Sequence, residues 1–121
     1  MIGAHLDSWD LGTGAVDDGA GIGITVGAAK LILDLNKVPK RTIRVVMFGS
    51  EEVGLVGARA YVAKHKDSLI NHMVGAESDF GAGKIWRFET NFAPEKLYLA
   101  DAIHKILEPL GIAVSYTHLR A

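Results

Sequence analysis

Hydrophobic and polar positions change their period several times along the chain. Residues 1–5, MIGAH, form a short apolar run ending in a histidine, the pattern of a buried strand. Residues 6–18 break that run with glycines and aspartates and read as a loop. Residues 19–36, GAGIGITVGAAKLILDLN, are apolar on nearly every side; only Gly23, Gly27, Lys30 and Asp34 make a small or polar stripe. That pattern predicts a helix with most of its surface buried. VPK turns the chain, and TIRVVMF (42–48), β-branched and apolar, predicts a central strand. Leu55, Ala58 and Val62 recur at helical spacing within 54–65. HMVGAE (72–77) predicts another short strand. In KIWRFE (84–89), Ile85, Arg87 and Glu89 alternate with Trp86 and Phe88, which predicts an edge or half-exposed strand. Pro94 and Glu95 open a helix that runs to Leu107 with Ala100, Ile103 and Leu107 on one face, and Gly111 stops it.

The predicted order is β-α-β-α-β-β-α, an α/β fold around a mostly parallel sheet. In such sheets, binding sites gather at the carboxyl ends of the strands. The charged residues fall there. His5 ends the first strand, Glu51 and Glu52 follow the second, and Asp79 follows the third. Asp17 and Asp18 immediately precede the first helix. Unpaired buried charges cost several kcal/mol each, so a cation must offset this gathering of carboxylates. Oxygen and imidazole donors without thiolate suit zinc, and also manganese or cobalt. Asp17, Glu52 and Asp79 supply three negative charges. A bridging hydroxide would supply the fourth and balance two divalent ions, leaving Glu51 free to move a proton.

Composition narrows the picture further. The chain has 121 residues, room for one small domain, and its 49% hydrophobic content supports a core. A net charge of −1 gives no reason to expect nucleic acid or an anionic membrane as partner. The absence of cysteine removes disulfides and thiolate metal sites. No internal repeat or low-complexity segment occurs, and no apolar run reaches the roughly 18 residues of a membrane span. MIGAH itself has no secretory-leader pattern, and a strand that starts at residue 1 is expected to be a cut through a longer protein.

Each signal has a blander reading. A lone histidine at a strand end is more often structural, EE pairs are usually solvated, and DD before a helix is often an N-cap. GAGIG is not a dinucleotide fingerprint, because its glycine spacing fails at Ile24. What shifts the balance is that the separate signals meet at one sheet edge.

GAHLDSWDLGTGAVDDGAG, RTIRVVMFGSEEVGLVGARAY and AESDFGAG closely resemble the co-catalytic zinc exopeptidases related to bacterial aminopeptidases. HLDSWD is similar to the carboxypeptidase Q (plasma glutamate carboxypeptidase) branch in particular. The resemblance covers residues 2–114. It implies a three-layer αβα sandwich, truncated at both ends, with residues 1–114 as a partial catalytic domain. It implies that His5 and Asp79 ligate one metal, that Asp17 bridges two, and that Glu52 ligates the second. Glu51 resembles the general base acting on the bridging water, and Asp7 resembles an acid that orients His5. The peptide bond between Asp17 and Asp18 is expected to be cis. The implied cofactors are two divalent ions, Zn²⁺ foremost. The implied activity is aminopeptidase- or dipeptidase-type hydrolysis of short peptides in a secreted or extracytoplasmic setting, with a homodimer open for the longer parent.

Departures from the family pattern accompany these likenesses. The histidine of the second metal is expected beyond this segment, so the 121-residue chain should be poorly active. SYTHLRA (115–121) resembles translated adaptor sequence and is read as a non-native tail; His118 is therefore not taken as the missing ligand. His65, His72 and His104 are read as surface or structural. Two rival readings stand. One is a non-catalytic, receptor-like binding domain on the same fold. The other is an aminoacylase-like or cyclotransferase-like hydrolase that uses the same metals.

Overall fold

The computed structural model describes residues 1–79 and 81–116. The chain is mixed α/β and divides into two compact units, Met1–Ala82 and Gly83–Ala121.

The first unit holds a three-stranded parallel sheet in the order β2-β1-β3, with β1 at Ile2–His5, β2 at Val45–Phe48 and β3 at Ala76–Glu77. Helix α1 (Gly19–Asp34) connects β1 to β2, and α2 (Val56–His65) follows β2. Parallel neighbours require such crossovers. β1 is central, and Gly3, Ala4 and His5 are buried in it. Helix α1 docks on β1 through the Thr25 hydroxyl, which donates to the Gly3 carbonyl at 3.1 Å. Its first turn approaches the chain after β3 so closely that a Cβ on Gly21 would overlap the Ser78 carbonyl oxygen and both Asp18 carboxylate oxygens.

The second unit pairs β4 (Arg87–Thr90) with β5 (Ala113–Tyr116) in parallel, with α3 (Leu97–Leu107) in the connection between them. Ala100 is fully buried, and Ile103 and Leu107 are half-buried on the same face, as their spacing predicts. The Thr90 hydroxyl donates to the Ser115 carbonyl at 2.9 Å.

Several expectations need correction. β2 pairs with β1 alone among the described residues, so it is an edge strand and β1 takes the central place. Helix α1 buries only Gly21 and Thr25; Leu31 and Leu33 stay 70% and 74% exposed. It packs through one face, and none of the described residues of its unit forms a layer over the other. The helix also ends two residues early, where Leu35 caps it and Asn36 turns left-handed at φ 50°. The predicted strand over 72–77 shrinks to two residues because a 3₁₀ turn over Lys66–Asn71 takes the His72 amide into its cap. β5 was not foreseen. It includes Ser115 and Tyr116, which the sequence reading assigned to the tail, and the Tyr116 hydroxyl donates to Asp101 at 2.7 Å. His118 and the rest of 117–121 lie outside the described residues. Among the described residues no helix is long and apolar enough to cross a membrane.

Candidate metal centre

Strand register builds the site. β1 pairs with β3 as Ile2 with Ala76 and Gly3 with Glu77; continued by two residues, this sets His5 opposite Asp79. β1 pairs with β2 up to His5 with Phe48, so Asp7 emerges beside the chain that leads into Glu51. The Leu6 amide still donates to the Phe48 carbonyl at 2.7 Å, which holds the two strand ends together past the sheet.

His5 is 1% exposed. Its Nδ1 lies 2.9 Å from the Asp7 carbonyl oxygen, which can only accept, so Nδ1 carries a proton. Nε2 then faces two carboxylates, Asp17 Oδ1 at 2.9 Å and Asp79 Oδ1 at 3.2 Å. A neutral imidazole would point a lone pair at both. Burial alone would lower the His5 pKa, but the Asp79 hydrogen bond, helped by the Asp7 carbonyl and by Asp17, pushes it up to about 9. Nε2 thus holds a cation, either a proton or a metal ion.

Asp7 meets the His5 ring through its backbone. Its carbonyl, rather than its carboxylate, takes the His5 proton; the carboxylate oxygen is 3.7 Å from Nδ1. The carboxylate instead accepts the backbone amides of Glu51 at 2.8 Å and Glu52 at 3.1 Å. The Glu51 amide is the main cause that holds the Asp7 carboxyl below its ordinary range. One residue therefore ties the imidazole of β1 to the loop that carries both glutamates.

The two adjacent aspartates divide their work, and the peptide bond between them is cis. Asp18 is the N-cap of α1: Oδ1 accepts the Gly21 amide at 3.0 Å, and Oδ2 accepts the His5 amide at 3.1 Å. Burial pushes its carboxyl up although these amides pull the other way. Asp17 is left free to face Nε2. The N-cap reading of DD thus holds for Asp18.

Glu52 sits in the turn after β2, and its Oε1 is buried with no hydrogen-bond partner among the described residues. Burial, followed by the charges of Asp17 and Glu51, pushes its carboxyl up. An orphaned buried oxygen beside like charges calls for a cation. Ligand atoms of His5, Asp17 and Glu52 lie within 4.8 Å of one another, as do those of His5, Asp18 and Asp79. All are nitrogen or oxygen donors, a set that fits zinc. Since Asp18 spends both oxygens on amides, Asp17 is the freer ligand. His5, Asp17, Glu52 and Asp79 are thus brought together, with Asp7 behind them. The cleft beside them has a wall that sequence reasoning missed: Trp9, Ala15 and Val16 line it together with Asp17 and Glu52. The available signal was a tryptophan standing among glycines and aspartates.

Comparison with known proteins identifies the family. The profile of peptidase family M28 matches residues 1–112, and the chain belongs to that family. Carboxypeptidase Q from Xenopus laevis is 38% identical over 118 residues, 98% of this chain and 25% of that protein. Carboxypeptidase Q from Homo sapiens is 37% identical over the same shares of the two chains. The vacuolar membrane protease of Lachancea thermotolerans is 33% identical over 91 residues, 75% of this chain and 9% of that protein. This chain spans about a quarter of the length of the carboxypeptidase Q relatives. No solved structure matches it.

Proposed function

We propose that this chain carries the metal-binding and proton-transfer part of a metal-dependent exopeptidase that hydrolyses short peptides. The observation that carries this reading is the His5 imidazole, with Nδ1–H fixed on the Asp7 carbonyl and Nε2 aimed at Asp17 and Asp79. His5, Asp79 and Asp17 would hold one divalent ion, and Glu52 with a share of Asp17 a second, zinc being the natural choice. Such ions polarise a scissile carbonyl and make water acidic near neutral pH. Glu51 takes a proton from the attacking water and passes it to the leaving amine. Asp7 fixes the His5 tautomer through its carbonyl and the glutamate loop through its carboxylate.

The same reading extends to the architecture and setting. The exposed apolar face of α1 supports a three-layer αβα sandwich in which further chain covers that face. Among the described residues, Glu52 and Asp17 supply the second ion with one protein ligand fewer than the three usual at a catalytic zinc, so the 121-residue chain alone would bind one ion more tightly than two and turn over slowly. Residues 1–114 form the family's part of the chain. The longer enzyme works outside the cytosol, and a homodimer is compatible with it; both points rest on the resemblance.

The test is metal analysis and dipeptide hydrolysis on the full-length protein and its Glu51→Gln variant. Glu51→Gln should keep the metal content and lower turnover by about 10²–10⁴-fold, because it removes the base and no ligand. An active Glu51→Gln enzyme, or a wild-type protein that binds zinc and hydrolyses no peptide, would overturn the proposal.

A further inference from the structure

The cleft lined by Asp17 and Glu52 has a volume of about 290 Å³, and Trp9, Ala15 and Val16 give it an apolar surface as well. Trp9 and Val16 stand on that surface, 63% and 55% exposed. The wall is a fixed structure. The Gly12 amide donates to the Trp9 carbonyl at 2.8 Å, and Leu11 takes the left-handed conformation at φ 69° between them. A Cβ on Gly12 would stand 2.9 Å from the Trp9 carbonyl oxygen, so only glycine fits that turn without movement. The Gly19 amide donates to the Gly14 carbonyl at 2.7 Å, anchoring the other end of the loop to α1. A large aromatic surface therefore lines the same cleft as the carboxylates, one of which, Glu52, has a buried oxygen without a hydrogen-bond partner among the described residues. Carboxylates and an exposed apolar surface lining one cleft describe a pocket for an amphipathic ligand.

We infer that Trp9 is a specificity-determining residue that receives a large aliphatic or aromatic side chain flanking the peptide bond to be cleaved. This deepens the peptidase reading and rests on it. With the bond held at the carboxylates, the adjoining side chain reaches the indole and Val16. Glycine at that position would leave the wall wet.

The experiment measures binding separately from turnover. Full-length, zinc-loaded protein in the Glu51→Gln background is titrated calorimetrically with phenylalanyl-leucine and with glycylglycine. The apolar dipeptide should bind at least about 10-fold more tightly, the discrimination typical of an apolar pocket. Trp9→Ala should cut this preference to within about twofold, and Trp9→Phe should keep most of it. Unchanged zinc uptake and far-ultraviolet circular dichroism would show that the variants fold, as expected for an exposed side chain. A preference that survives Trp9→Ala, equal affinity for both dipeptides, or no binding of either would overturn the inference. Trp9-dependent preference in a protein whose Glu51 form hydrolyses neither dipeptide would sustain the role of Trp9 in binding and remove the peptidase reading.

Discussion

His5 and His72 belong to the same compact unit, and each aims Nδ1 at a backbone carbonyl, Asp7 at 2.9 Å and Ser68 at 3.2 Å. Each imidazole therefore carries its proton on Nδ1. The difference lies at Nε2. In His72 it is 2.8 Å from the Tyr61 hydroxyl, which can donate, and Tyr61 in turn accepts from Arg44. Donor meets acceptor at both ends, and a neutral ring is fully satisfied. In His5, Nε2 meets two acceptors, Asp17 and Asp79. A histidine in a matched network completes a structure. A histidine whose second nitrogen faces only carboxylates requires a cation, and that mismatch sets His5 apart as the candidate ligand.

The contrast is open to direct attack. His5→Gln should weaken zinc binding by at least about 100-fold, since it removes a direct ligand whose supporting contacts alone are worth 10–100-fold. His72→Gln should leave zinc affinity within about twofold. Isothermal titration of both variants checks this, and equal losses would erase the distinction between the two histidines.

Asp7→Asn probes the link between β1 and the glutamate loop. The side-chain amide keeps one acceptor and turns a donor toward the other backbone amide, Glu51 or Glu52. The backbone carbonyl that fixes His5 is untouched. Zinc affinity should fall by about 10–100-fold through displacement of Glu52. An unchanged affinity would show that the loop holds its place without Asp7.

A smaller effect concerns His5 and pH. In the metal-free protein the His5 pKa is raised from 6.5 to about 9. The folded state therefore binds a proton that the unfolded chain releases more readily. The resulting stability is fully present below about pH 6.5 and is lost as pH rises through about 9. Denaturant unfolding of the metal-free protein should give a lower midpoint at about pH 9.5 than at about pH 6.5. In His5→Gln that difference should shrink; a difference of the same size would assign it to other groups.

Much of this was legible in the sequence, for a physical reason. β1, the loop over 6–18, α1, α2 and the end of α3 at Leu107 announce themselves by local periodicity and by glycine, whereas Pro94 and Glu95 open a 3₁₀ turn over Pro94–Lys96 and α3 begins only at Leu97. The four ligand candidates were legible because strand ends in a parallel sheet share one edge, and His5 and Asp79 come into register from the pairing of Gly3 with Glu77. Long-range partners were not legible. Nothing local to Asp7 shows that its carboxylate reaches the amides of Glu51 and Glu52, because that contact exists only once β1 and β2 are paired. The exposure of α1 was hidden as well: its apolar pattern records a burial that the described residues of its unit do not supply. β5 was missed because AVSY is short and pairs with a strand 26 residues earlier, through contacts that no local pattern encodes.

With Nδ1–H bound to the Asp7 carbonyl and two carboxylates at Nε2, His5 Nε2 holds a cation, and a metal ion can replace the proton there. Nitrogen-15 NMR of the imidazoles during a zinc titration near neutral pH tests it most directly. His5 Nε2 should lose its proton and move to the zinc-bound position, with proton release to the buffer, while both nitrogens of His72 keep their shifts. A His5 that stays protonated on Nε2 with zinc bound, or a zinc-induced shift at His72 in its place, would contradict it.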